Sequence, residues 1–427
     1  MSERIIILGA GIAGVSACEE ILKTAPEAEI TLIHNERDLP YLRPLLSKLS
    51  LTTFRRDSLS LHTAGWYSEH GVRLLGSTVV DRILSEQKEV RLEDGTLLPY
   101  DKCIYALGAR CHIPPVPGAV LPGTACVRSI QDLQKIRRLL AAAKKAVVIG
   151  GGVIGLEFAW EIKKAGCDVT VLEALPHLME RVLDPESACV LEERCAACGV
   201  DVYTGVSVER IAGSDRAEAV ILADGRSFPA DLVLLSCGIR ANTAVAERSG
   251  IPCGRGVLVN DRLQTCLPDV YAAGDCTQID ESESHSAMGL CRTDNLNPGL
   301  WTYAMESGRI AGFNAVHPEN EAQRFAPKHD AVLLSAMGTS LVSVGEVRAE
   351  NCDRAECRKR QDNSPDGQFL INPHAGAGFH YEKRFYRGDT LCGAVLMGDL
   401  SSLPDILSEV STANEVGGFP APTEEKP

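Results

Sequence analysis

The chain lacks a long hydrophobic run. No apolar stretch among its 427 residues reaches the ~18 needed to cross a bilayer, so no membrane-spanning helix is expected. It lacks a basic excess: 43 Lys and Arg stand against 57 Asp and Glu, a net charge of −14, which argues against nucleic acid as a partner. It also lacks a basic leader. Residues 5–18 are apolar and end in small residues, but one arginine precedes them, so no signal peptide is expected. Clustered cysteines are missing too. The 16 cysteines are scattered singly, which suits a reducing cytoplasm. Cys352 and Cys357 sit in a charged stretch without matching His or Cys, so no metal site is expected there. One close pair, Cys195-Ala196-Ala197-Cys198, ends a helix expected to begin near Pro185 and to be capped by Gly199. A reactive pair wants a helix N-terminus, where the dipole lowers a thiol pKa, so this one reads as structural.

What is present is a glycine motif, twice. Ile5 to Leu8 form an apolar strand that runs into Gly9-Ala10-Gly11-Ile12-Ala13-Gly14 and then a helix. Strand, Gly-x-Gly-x-x-Gly and helix together are the fingerprint of a dinucleotide site. Gly9 allows the tight turn, Gly11 lets the backbone approach a pyrophosphate, and Gly14 lets helix and strand pack. The helix N-terminus supplies free N–H groups and a partial positive charge. The second copy is Val147 to Ile149, then Gly150-Gly151-Gly152-Val153-Ile154-Gly155, then a helix from Leu156 to Lys164. Glu173 closes the next strand, Asp168 to Leu172. A carboxylate there accepts hydrogen bonds from a ribose 2′-OH and repels a 2′-phosphate, so this site reads as one for NADH.

The repeat extends further. Each half carries a hairpin signal, Asp94-Gly95 or Asp224-Gly225, then an aspartate, Asp101 or Asp231, then a glycine after an apolar strand, Gly108 or Gly238. The expected fold is α/β: two Rossmann-like dinucleotide-binding domains with inserted β-meanders, plus a small α+β C-terminal domain. Residues 1–114 and 243–326 would form the first domain, 115–242 the second and 327–427 the third. In the third, strands are expected at Ala331–Leu334, Leu341–Val344, His380–Tyr386 and Leu391–Met397, and a helix at Ser402–Val410. Residues 358–367 read as an exposed loop, and a disordered tail is expected from Gly417.

Ala272-Ala273-Gly274-Asp275, with Ala106-Leu107-Gly108 and the two Rossmann units, resembles the glutathione-reductase-like flavoproteins of the pyridine nucleotide-disulfide oxidoreductase superfamily. Pro40-Tyr41-Leu42-Arg43-Pro44-Leu45-Leu46-Ser47-Lys48 is similar to a segment of rubredoxin reductases, ferredoxin reductases and the flavin domain of nitrite reductases. The resemblance implies FAD on the first unit and NADH on the second. It implies that Asp275 holds the FAD ribityl chain and that Lys48 lies beside the flavin, paired with Glu157. Hydride would pass from nicotinamide C4 to flavin N5.

By the same resemblance Arg43, and with it Arg128, would neutralise FAD phosphate. Val80 would meet the adenine by its backbone, and Trp301 would lie near the flavin ring. His34 stands where the family usually places an acid on the FAD ribose, with Asn35 or Glu36 as substitutes. No cysteine stands where the disulfide-reducing branches carry theirs, which implies electrons leaving to an external acceptor. The implied activity is an NADH-dependent, cytoplasmic flavoprotein reductase, monomer or homodimer, serving a small redox protein such as rubredoxin or ferredoxin. The alternatives are the flavin subunit of a larger complex and an NADH-sensing flavoprotein.

Overall fold

The computed structural model describes residues 2–48, 51, 59–280, 297, 299–326, 331–361 and 379–416. Its first sheet holds five parallel strands in the order Val270–Ala272, Lys102–Tyr105, Arg4–Leu8, Glu29–Ile33 and Arg73–Leu75. The second has the same design: Val200–Tyr203, Asp168–Leu172, Lys145–Ile149, Leu232–Leu235 and Thr124–Ala125, also parallel. In each, the glycine-motif strand is flanked on both sides. Ile5, Ile7 and Leu8 are fully buried, as are Val147 and Val148 to within a per cent, so these strands are continuous apolar runs covered on both faces.

The glycines do what such turns require. Gly9 has φ +106°, and a Cβ there would lie 2.1 Å from the Ala106 carbonyl oxygen. A Cβ on Gly14 would lie 1.9 Å from the Gly9 oxygen, so the helix Ile12–Thr24 packs onto its strand only because both are glycine. Gly150 and Gly155 repeat both contacts against Ser236 and Gly150.

The repeated aspartates are fasteners. Asp101 accepts from the backbone N–H of Arg4 at 2.8 Å and binds its guanidinium. Asp231 accepts from the N–H groups of Lys144 and Lys145 at 2.9 and 3.0 Å. Each ties the exit of a three-stranded meander (Val80–Pro99 or Val208–Pro229) to the start of a glycine-motif strand. The two sheets are joined by an antiparallel pair, Ala109–Cys111 with Ile239–Ala241.

The helix Trp301–Val316 lies against Ile12–Thr24 at very close range. A Cβ on Gly308 would fall 2.1 Å from the Ala13 oxygen, and one on Gly312 2.5 Å from the Ala17 oxygen. This contact brings the Trp301 end of the helix to the first glycine turn.

The C-terminal sheet is antiparallel: Val332–Ala336, Thr339–Gly345, Thr390–Gly398, Phe379–Arg387, Arg354–Gln361. The helix Leu403–Val416 covers it. Residues 354–361, the first part of which begins before the expected loop, are an edge strand, so the loop expectation over 358–361 is corrected. Among the described residues the strand pairs on one side only, and its sequence is mostly polar, which hides it from a hydrophobic pattern. The remainder of that stretch and the tail from Gly417 lie outside the described residues. The sheet clamps onto the helix Pro185–Ala197: the buried Lys383 ammonium meets Asp184 at 2.6 Å and Glu186 at 2.9 Å, and Arg194 Nε donates to the Met337 carbonyl at 2.8 Å. Cys195 is buried here with its thiol pushed up to about 12 by burial, and Cys198 caps the helix at its C-terminal end.

Candidate functional site

A cleft of about 2330 Å³ runs between the two parallel sheets. Both glycine turns open onto it. Gly11 and Gly152 are the N-caps of their helices, in extended conformation with no side-chain cap, and nothing lies within 4 Å of where a Cβ would sit. Two bare helix N-termini with open space before them form two phosphate cradles in one cleft. A flavin dinucleotide and a nicotinamide dinucleotide fit that arrangement.

Of the residues singled out in the sequence, Gly11, Asn35, Glu36, Arg43, Lys48, Ala106, Gly108, Arg128, Gly150, Gly152, Glu157, Glu173, Gly238, Asp275 and Trp301 all line the cleft. Gly9, Gly14 and Gly155 do not; they shape the turns from behind. Val80 is buried in the first core, its side chain 6 % exposed, and is not part of the lining. His34 is also outside the lining. Its ring packs at Gly76, where a Cβ would come within 3.1 Å of Nε2, and burial lowers its pKa. Of the three residues considered for the first ribose, Asn35 and Glu36 reach the cleft and His34 does not.

The charges are arranged in two groups. In the first, Arg43 pairs with Glu36, donates to the Tyr41 hydroxyl oxygen at 2.9 Å and donates to the Arg128 carbonyl at 2.6 Å. Burial opposes its charge, but Tyr41 and Glu36 outweigh burial and hold its pKa above the ordinary value. Arg128 in turn pairs with Asp275 and donates to the Ala109 carbonyl at 3.1 Å. The arginines are therefore held by carboxylates on the cleft wall.

The second group is built on Glu157, only 2 % exposed on the helix Val153–Lys164. Ser47 Oγ donates to its Oε2, the Ser335 backbone N–H donates to Oε1 at 3.2 Å, and Lys48 Nζ stands 3.7 Å from Oε1. Three parts of the chain thus converge on one buried carboxylate. The segment Arg43–Ser47, a short 3-10 helix started by Pro44, presents Ser47 and Lys48 side by side. Ser47 lies inside the sequence motif that carries Lys48, but its partner could not be read from it; Ser335 acts through its backbone and leaves no sequence signal.

Glu173 is fixed by backbone groups: Gly151 N–H donates to it at 2.5 Å and Leu175 N–H at 2.8 Å. Its carboxylate faces the second cradle. Sequence reasoning also passed over Cys111 and Cys126, which line the cleft from strand ends 15 positions apart in sequence numbering.

Comparison with known proteins agrees with this geometry. The family model for pyridine nucleotide-disulphide oxidoreductases matches residues 3–308. A Bacillus subtilis nitrite reductase [NAD(P)H] is 32 % identical over 400 residues, covering 93 % of this chain and 46 % of that protein. The chain spans about half the length of the first curated relatives it matches. The ferredoxin–NAD(+) reductase subunit of a Pseudomonas putida benzene 1,2-dioxygenase system is 34 % identical over 275 residues, 64 % of this chain and 67 % of that one. Among solved structures, a ferredoxin reductase for the CYP199A2 system of Rhodopseudomonas palustris superposes with a TM-score of 0.82 at 25 % identity, covering 96 % and 95 % of the two chains. The chain belongs to the pyridine nucleotide-disulphide oxidoreductase family, with FAD and a nicotinamide nucleotide as its cofactors.

Proposed function

We propose that this chain is an NADH-dependent reductase that passes electrons to a small redox protein of the rubredoxin or ferredoxin kind. The observation that carries the reading is the Lys48–Glu157 pair, which lies in the one cleft that both glycine turns share. FAD supplies a flavin that accepts hydride from NADH and gives up electrons singly. The chain's own residues do the rest. The first glycine turn and the Arg43–Arg128 group hold the pyrophosphate, and Asp275 takes the ribityl chain. Lys48 places a fixed positive charge in the cleft, and Glu157, itself held by Ser47 and Ser335, fixes where that charge points. Glu173 accepts the ribose hydroxyls of NADH and opposes a 2′-phosphate. We further assign residues 1–114 and 243–326 to the FAD unit, 115–242 to the NADH unit and 327–427 to a C-terminal interface domain.

The test is a screen of acceptors with the purified, FAD-loaded protein. NADH-driven reduction of a rubredoxin or a ferredoxin, fast relative to oxygen, is the expected result; no transfer to any single-electron protein overturns the reading. A second reading has support of its own. The chain aligns with less than half of the nitrite reductase, so it also suits the flavin module of a larger enzyme. That reading requires slow turnover alone and stable co-purification with a partner redox subunit.

A further inference from the structure

We propose that Cys111 and Cys126 form a reversible dithiol–disulfide couple in the wall of the cofactor cleft. The fold brings them together. Cys111 ends the strand that leaves the first sheet and stands opposite Ile239. Cys126 follows the strand Thr124–Ala125, in which Ala125 stands opposite Leu234. Leu234 and Ile239 flank the C-terminal end of one strand, Leu232–Leu235, so both cysteines arrive at that end. The two thiols stand beside each other, both are half-buried, and both line the cleft.

Their nearness makes the pair unequal. Cys111 draws the Cys126 thiol below the ordinary value, with help from Lys135 and against burial and Asp132. Cys126 in turn pushes Cys111 up. A thiol inclined to ionise beside a second thiol is the arrangement found in redox-sensing cysteines. Elsewhere the fold holds another close pair, Cys352 and Cys392, with sulfurs 3.3 Å apart. There burial pushes Cys352 up to about 12 and also raises Cys392, so neither offers a thiolate. Cys237 lines the cleft as well, but burial pushes it up to about 11.

The chemistry needs a hydroperoxide. Cys126 thiolate attacks it; an S–O bond forms, the O–O bond breaks, and the departing oxygen takes a proton and leaves as water. Cys111 then attacks the Cys126 sulfenic acid. An S–S bond forms as the S–O bond breaks, and the Cys111 proton leaves with that oxygen as a second water. Two thiols lose two electrons and hydrogen peroxide becomes two waters; a small dithiol reverses it. The bond would tie the crossover strand to the edge of the second sheet, two residues before Arg128, the partner of Asp275. This couple does not depend on which acceptor the enzyme serves.

The FAD-loaded full chain is treated with limiting hydrogen peroxide, alkylated, digested and mapped by mass spectrometry. The expected result is a cross-linked peptide joining Cys111 to Cys126, removed by dithiothreitol, formed before Cys352 and Cys392 lose their thiols. Cys111→Ser should abolish the cross-link and drive Cys126 to the sulfinic acid, with FAD content reporting that the variant folds. Cys126→Ser should leave Cys111 as a free thiol under the same treatment. The proposal is overturned if both thiols stay alkylatable while the exposed Cys189 and Cys266 oxidise. It is equally overturned if Cys126 cross-links to Cys237, or if Cys352 and Cys392 oxidise first.

Discussion

Lys48 and Glu157 meet across the cleft, Nζ 3.7 Å from Oε1, one at the end of the short 3-10 helix that follows the strand Glu29–Ile33 and the other on the second glycine-motif helix. At that separation the contact is an ion pair rather than a hydrogen bond. What holds the carboxylate in place is the serine next to the lysine and a backbone N–H from the C-terminal sheet. Ser47→Ala therefore leaves a buried carboxylate oxygen short of a donor, at a cost of about 1–3 kcal/mol. Denaturant unfolding should register that loss. Stopped-flow reduction by NADH should also slow, because Glu157 can then swing away from Lys48. Ser47→Thr, which keeps the hydroxyl, should recover the rate. A wild-type rate in Ser47→Ala would mean that Ser335 alone suffices to hold the carboxylate.

NADH should be preferred over NADPH. Glu173 is pinned by two backbone N–H groups, so it cannot turn away from an incoming 2′-phosphate without losing both. Like-charge repulsion of ~2 kcal/mol in a partly desolvated pocket corresponds to about thirty-fold in affinity. Flavin reduction at equal, low concentrations of the two nucleotides measures the ratio, and Glu173→Ala should narrow it. Equal rates for both nucleotides with the wild-type protein would refute the assignment.

The parts of this molecule that repeat were legible in its sequence, because a local backbone requirement recurs at fixed spacing. Gly9 and Gly150 must take positive φ beside a carbonyl, and Asp101 and Asp231 must fasten the same corner. The cleft-facing charges were legible as residue types but not as partnerships. Arg43 is expected to neutralise phosphate with Arg128, and in the fold it is held by Glu36 and Tyr41 while Asp275 is held by Arg128. Such pairings span from 2 to 147 residues, and no periodicity encodes them. His34 was placed by alignment to a strand end, yet a strand end decides only depth, and its ring packs at Gly76 outside the cleft lining. The Cys111–Cys126 neighbourhood was invisible for the same reason: it exists only because two strands end at one place.

Lys383 makes the C-terminal sheet's grip on the second unit testable. It is buried against the buried Asp184 and also meets the exposed Glu186, and Asp184 caps its helix. Replacing it with Met strands Asp184 without its cation, and losses of about 3–5 kcal/mol are usual for breaking a buried pair from one side. The pH dependence has a definite sign. Burial opposes the ammonium, but Asp184 and Glu186 outweigh it and raise the pKa above that of the unfolded chain. A raised pKa contributes stability that is complete below about 10.4 and is lost as pH rises through the folded value. Denaturation midpoints of the wild type should therefore fall toward strongly alkaline pH more than those of Lys383→Met.

Lys48 carries the strongest mechanistic prediction. Its side chain is 31 % exposed, so it is neither an ordinary surface lysine nor a fully buried one, and its ammonium lines the cofactor cleft. A cation beside a flavin favours the reduced, negatively charged form and raises its potential. Lys48→Met keeps most of the stem volume and removes the charge, so the potential should fall. For a two-electron couple ~30 mV corresponds to about 1.4 kcal/mol, and one charge contact at an effective dielectric near ~20 supplies a few kcal/mol. Reduction by NADH should slow by about an order of magnitude or more, consistent with a barrier raised by ~1.4 kcal/mol or more. FAD content should stay at the wild-type level, because the phosphate cradle at Gly11 and the Arg43–Arg128 group is untouched. Glu157→Gln should change the potential less and still slow reduction, since the lysine loses the charge that orients it while Ser47 can still donate to the amide oxygen. Spectroelectrochemistry gives the potential and stopped-flow absorbance the rate. A Lys48→Met protein with both values unchanged would leave the lysine without a part in the chemistry, and the reductase reading without the pair on which it rests.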